Sequence, residues 1–166
     1  MSLPMFFSTL KPVLYIQISP ERITLKNLKT GELIAEVPEM AITAAPKPTI
    51  LAVGPQARLA CAAQAAQLRN PFAHPRSLVS DFTLAEQLLR YYVHRIRGQA
   101  WLSIAPRIVL HPLGQPAGGF TQVERRAFRE LALGAGAAEA IVWMGRVLTD
   151  EEILTRRFPA GEGEWE

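Results

Sequence analysis

Thr121-Gln122-Val123-Glu124-Arg125-Arg126-Ala127-Phe128-Arg129-Glu130, closing on Gly134-Ala135-Gly136-Ala137, decides how this chain folds. Thr121 and Glu124 make a capping box: the threonine oxygen accepts from the amide three residues on, and the glutamate reaches back to the amide of the cap. A helix from Thr121 to about Leu133 follows, and the glycines stop it. Before it lies a short apolar run, Arg107-Ile108-Val109-Leu110, and after it another, Glu139-Ala140-Ile141-Val142-Trp143-Met144. Strand, helix and strand with short joins predict a right-handed parallel crossover, with Ile108-Val109 beside Ile141-Val142.

Upstream, Val13 to Ile18 reads as a buried strand, Arg22 to Lys26 as a half-exposed alternating strand, and Glu32 to Val37 as a third. The joins are too short for crossovers, so these strands form antiparallel hairpins. Pro38 to Pro48 is rich in Pro and Ala, and strands there are short. Ile50 to Val53 is a strand ended by Gly54-Pro55, and Gln56 to Leu68, free of Gly and Pro, is expected as one helix. Asn70 to Pro75 is irregular. Thr83-Leu84-Ala85-Glu86 is a second capping box, opening a helix whose stripe is Leu84, Leu88, Tyr92 and Ile96. Arg90, His94, Arg95 and Arg97 gather at its far end, where the helix dipole favours cations. Thr149-Asp150-Glu151-Glu152 opens a last short helix, and residues 159–166 are expected as a frayed tail.

In this order the segments resemble the MreB family, the bacterial actin-like proteins that shape rod cells. The T-x-V-E-R-R-A-x-x-E stretch with its GAGA close carries the resemblance; in that family it forms a helix under the ATP site. Ala52-Val53-Gly54, Ser80-Asp81-Phe82-Thr83 and Pro106-Arg107-Ile108-Val109 fall in matching order. The resemblance implies an α/β fold, actin-like (ribonuclease H-like) subdomain I, with a mixed sheet over residues 1–158 and a small inserted subdomain over 38–79.

Departures from the family pattern bear on function. Where the family carries D-L-G-T, with an Asp and amides that organise phosphates and metal, this chain has Gln17-Ile18-Ser19-Pro20. Gln17 supplies no carboxylate to a hard cation. Pro20 has no amide hydrogen and a fixed φ. The family's tight P-x-G-x-T join is replaced by Pro112-Leu113-Gly114 and a longer Gly-rich loop to Phe120, which matches neither the Walker nor the dinucleotide pattern. Gly145-Arg146-Val147-Leu148 stands where the family begins a helix E-E-P-x-A-A-A, and nothing later offers D-x-G-G-G-T.

Glu124 has two readings. The resemblance gives it a part in positioning an attacking water; the capping box explains it without catalysis. Arg125, Arg126 and Arg129 are either a solvated face, with Arg126 paired to Glu130, or a protein interface. His74, His94 and His111 lack metal spacing, Ser77 and Ser80 lack a nucleophile elbow, and Asp81 reads as a helix cap.

The chain has 166 residues, 49% hydrophobic and 20% charged, with net charge +3. This is the composition of one globular domain, and the charge is too small to imply nucleic acid. Cys61, the single cysteine, excludes an internal disulfide and suits a reducing cytoplasm; it is expected as a small buried hydrophobe. No apolar run reaches the ~18 residues of a membrane span. The apolar start, with Met5, Phe6 and Phe7, lacks the marks of a secretion signal. Burying its two Phe rings in a lipid interface would contribute about 3–5 kcal/mol before ordering costs, so weak contact with the inner face of the cytoplasmic membrane is one expectation and packing or self-association the other. The functional expectation is a non-catalytic module, without ATP or Mg, that contacts MreB or another cell-shape protein. The alternative is a divergent ATP-binding domain.

Overall fold

A computed structural model describes residues 11–74, 76–98, 104–114, 116 and 118–166. Among them the order is β1 (Val13–Ile18), β2 (Ile23–Asn27), β3 (Leu33–Glu36), β4 (Met40–Thr43), β5 (Ile50–Val53), α1 (Gln56–Ala63), β6 (Ala66–Arg69), α2 (Phe82–Arg97), β7 (Arg107–Pro112), α3 (Gln122–Gly134), β8 (Glu139–Gly145), α4 (Asp150–Thr155) and β9 (Gly163–Trp165). Six strands form the main sheet in the order β3-β2-β1-β7-β8-β9, and β5-β4-β6 form a smaller three-stranded sheet.

The opening meander is antiparallel, with Ile16 opposite Leu25 and Leu25 opposite Ile34. β1 and β7 run parallel, as do β7 and β8, where Val109 faces Ile141. The expected crossover is therefore present. Its strands are buried on both faces, which is why they read as continuous apolar runs rather than alternations. On one face Leu14, Ile16, Ile108, Leu110 and Val142 pack under Leu88, Tyr92 and Ile96 of α2 and Phe128 and Leu131 of α3. On the other, Val13, Tyr15, Val109, Ile141 and Trp143 pack under Leu148 and Ile153.

The boxes at Thr121 and Thr149 both close as drawn from sequence, each threonine accepting from the glutamate amide and each glutamate from the threonine amide. The Thr83 box does not form. α2 begins two residues earlier, capped by the Asp81 side chain, which accepts from the Leu84 amide at 3.0 Å. Asp is the stronger cap. Glu86, freed from the box, pairs with Arg90 at 2.6 Å. Arg90 also donates from Nη2 to the Gly134 carbonyl at 2.8 Å, so this cation caps the C-terminus of the neighbouring helix α3.

Three further expectations change. The helix over Gln56–Leu68 ends at Ala63, because Gln64 turns extended and Ala66–Arg69 pairs with β4; the ladder outweighs local helix propensity. Cys61, on this helix, is half-buried rather than core. Residues 159–166 are not frayed: Trp165 lies opposite Trp143, and Phe158 stacks between the two indoles at 5.7 and 5.8 Å.

Candidate functional site

The turn after β1 is closed on itself. The Ser19 amide donates to the Arg22 carbonyl at 2.9 Å, and the Arg22 amide donates to Ser19 Oγ at 3.0 Å. Pro20 has no amide to offer, and its carbonyl accepts from Asn70 Nδ2 at 2.7 Å. Two amides that could have faced an anion are thus engaged within the turn.

A cleft of about 760 Å³ opens at the carboxyl ends of β7 and β8. Crevices at such strand ends are where open α/β sheets bind ligands. Pro112, Leu113, Gly114, Gly118, Gly119 and Phe120 bring the Gly-rich loop to one wall, and Glu162 and Glu164 bring the C-terminal strand to the other. Gly114, Gly118 and Gly119 all have positive φ, which explains why the loop needs glycine there. Arg125 spans the gap: Nη2 pairs with Glu164 at 2.5 Å and Nε donates to the Phe120 carbonyl at 3.2 Å.

His111 lies at the cleft floor, 2% exposed. Its Nε2–H donates to the Gly145 carbonyl at 3.0 Å, which leaves Nδ1 to accept from the Tyr15 hydroxyl at 2.6 Å. The Tyr15 oxygen in turn accepts from the Leu148 amide at 3.2 Å. This chain fixes the neutral tautomer and ties β1, β7 and β8 to the segment before α4. Burial pushes the His111 pKa below its ordinary 6.5, only partly opposed by the Gly145 carbonyl. The unfolded chain therefore binds a proton at His111 that the folded chain resists. This contribution to stability is complete above pH 6.5 and is lost as the pH falls below it. Urea unfolding at about pH 7.5 and about pH 5.5 should show the loss, and His111→Gln should flatten the slope; an equal slope in both proteins would refute the assignment.

Glu124 does not enter the cleft. Its Oε2 accepts from the Thr121 amide at 2.8 Å and from Thr121 Oγ1 at 2.9 Å, and it borders a separate apolar groove with Val79, Phe82 and Val123. Arg126 and Arg129 are exposed. Among the described residues the ion pair of this helix is Arg125–Glu164 rather than Arg126–Glu130. Met5, Phe6 and Phe7 lie outside the described residues. Among the described residues no group of three His, Cys, Asp or Glu could hold a metal ion, and no helix is long and apolar enough to cross a membrane. The Tyr15–His111 link and the Arg125–Glu164 bridge were not read from sequence; both join residues far apart in the chain, which pattern alone does not pair.

A mixed sheet opening with a meander, a small second sheet after it, and a cleft at the carboxyl ends of a parallel crossover define an actin-like fold. MreB5 of Spiroplasma citri bound to ADP matches over 80% of this chain and 37% of that one, with TM-score 0.62 and 18% identity. A non-polymerising MamK mutant bound to AMPPNP matches over 80% of this chain and 40% of that one, with TM-score 0.63 and 13% identity. The MreB/Mbl protein family matches residues 23–148, and the chain belongs to that family. Cell shape-determining protein MreB of Haemophilus influenzae is 33% identical over 91 residues, 55% of this chain and 25% of the relative. MreB of Pasteurella multocida is 39% identical over 62 residues, 37% of this chain and 16% of the relative. The chain thus spans only part of the length of the relatives it matches.

Proposed function

We propose that this MreB-family chain works as a non-catalytic actin-like module in the cytoplasm, acting through contacts with MreB, with another cell-shape protein or with a second copy of itself. The observation that carries the reading is the Gln17–Pro20 turn, whose Ser19 and Arg22 amides bond within the turn while Gln17 offers no carboxylate to a cation. Glu124, held by its capping box, leaves no free carboxylate at the head of α3. The contact surface is the outer face of α3, where Arg126 and Arg129 are exposed and Val123 is 79% exposed.

A second reading is favoured by the glycine-lined cleft, where Gly114, Gly118 and Gly119 bring bare backbone near the strand ends. It makes the chain a divergent nucleotide-binding domain. Calorimetry with Mg-ATP separates the two. The non-catalytic reading expects no saturable heat and no turnover, together with retention on immobilised full-length MreB that Arg126→Glu/Arg129→Glu abolishes without lowering Tm. Binding or hydrolysis of ATP by the purified chain would overturn it.

A further inference from the structure

The amino ends of the parallel strands carry a second cleft, about 340 Å³, lined by Lys11, Lys29, Arg107, Glu139, Leu154 and Arg156. The fold brings these residues together from five parts of the chain. Val13 faces Arg107 and Arg107 faces Glu139 in the parallel register. The Arg107 amide donates to the Pro12 carbonyl at 2.9 Å, which places Lys11 at the rim, and the Leu28 amide donates to the Val13 carbonyl at 2.9 Å, which places Lys29 there. Arg156 enters from the C-cap of α4.

The carboxylate in this lining, Glu139, is already paired with Arg156 at 2.6 Å and is not engaged by Arg107. Arg107 is 8% exposed. One of its donors, Nη2, reaches the Ile153 carbonyl at 2.9 Å, but its buried Nε has no acceptor, and no carboxylate pairs with it among the described residues. A buried arginine is ordinarily paired with an anion, because removing a guanidinium from water is costly without one. Burial, and then the Arg156 charge beside it, lowers the Arg107 pKa, as expected of a cation lacking its counter-charge.

We infer that this cleft is a binding site for a phosphate group, either a free phosphate or phosphate ester or the phosphate of a lipid headgroup. A guanidinium fork between ammonium groups suits several acceptor oxygens carrying more than one negative charge, which a single carboxylate does not match. Lys11 directly follows the apolar run containing Phe6 and Phe7, which keeps the lipid source in play. The site lies at the opposite end of the strands from the large cleft and does not depend on the function proposed above.

The test uses the full chain. Thermal unfolding is followed against inorganic phosphate at constant ionic strength set with chloride. Flotation is measured with phosphatidylcholine vesicles, with and without phosphatidylglycerol. Phosphate stabilises most proteins slightly by exclusion, so the readout is the difference between wild type and Lys11→Ala/Lys29→Ala. The wild type should show a saturable rise in Tm, with apparent affinity roughly tenfold weaker in the double variant. Arg107→Met, if it folds, should lose the response. A response to inorganic phosphate without vesicle binding assigns a soluble phosphate. Loss of phosphatidylglycerol-dependent flotation in the lysine variant, without a response to inorganic phosphate, assigns the lipid. Equal phosphate increments and equal flotation in wild type and lysine variant would overturn the site. If flotation then falls only in Phe6→Ser/Phe7→Ser, the N-terminal segment rather than the cleft holds the membrane.

Discussion

Trp143→Ala is expected to destabilise the protein by about 3–5 kcal/mol, a large share of the ~5–15 kcal/mol that holds a typical domain together. Trp143 is fully buried in the face of the sheet covered by α4. Its Nε1–H donates to the Arg146 carbonyl at 2.7 Å, fixing the turn after β8. Its ring stacks on Phe158 at 5.7 Å, and Phe158 stacks on Trp165 at 5.8 Å. Gly163 is pressed so closely to the indole that a Cβ there would overlap it. Truncation therefore opens a cavity, leaves a carbonyl without its donor and removes the surface on which the C-terminal strand sits. Two readouts follow. Urea unfolding should lose the stated free energy. The Val142 and Glu166 amides, which bond each other's carbonyls at 2.9 and 3.0 Å, should lose protection from hydrogen exchange. Trp165→Ala is the control, because Trp165 is 63% exposed and its loss should cost under about 1 kcal/mol. If the two variants cost the same, Trp143 is not the keystone of this face.

That docked segment also marks a limit of sequence reading. β9 has three residues, too few for an alternation to register, and it is held by aromatics at Phe158 and Trp165 whose partner Trp143 is distant in sequence. The crossover was legible for the opposite reason. The Thr121 cap, the helical stripe and the two flanking apolar runs are all local, and they agree with one another. The α2 cap shows how two local signals compete: Asp81 and Thr83 both satisfy the pattern, and the better acceptor sets the helix start. At Gln64 the local signal is overruled, because β6 completes a ladder with β4 that the Ala-rich composition does not announce. The candidate sites divide similarly. The altered turn at Gln17–Pro20 is visible in four consecutive letters. The cationic cleft is not, since Lys11, Lys29, Arg107 and Arg156 meet only through the strand register. The Glu124 capping role needs only the four residues Thr121 to Glu124, whereas the Arg125–Glu164 bridge needs the fold.

Gly54→Ala is the second substitution with a large expected effect, about 2–4 kcal/mol, because two independent costs coincide there. Gly54 ends β5 with φ of +67°, where a side chain costs about 1–2 kcal/mol in backbone energy alone. It also sits against the junction of the two sheets. Glu36, at the end of β3, accepts from the Tyr92 hydroxyl at 3.0 Å and pairs with Arg95 at 2.7 Å. A Cβ on Gly54 would overlap the Glu36 carboxylate and come within 2.9 Å of the Tyr92 oxygen. Tyr92 cannot retreat, since its ring is packed in the core beneath α2, and its pKa is raised by burial and by the Glu36 charge. Glu36 must move, and then Tyr92 and Arg95 lose their shared acceptor. Gly31→Ala isolates the backbone part, because Gly31 has φ of +77° and open space where its Cβ would stand. Thermal melts of the two variants should therefore differ: Gly31→Ala by a few degrees, Gly54→Ala by roughly 5–15 °C. Adding Glu36→Ala should cost Gly54→Ala less than it costs the wild type, since the overlap is then relieved. Equal melting temperatures for the two alanine variants would show that the junction yields freely, and that Glu36, Tyr92 and Arg95 do not hold the small sheet against the large one.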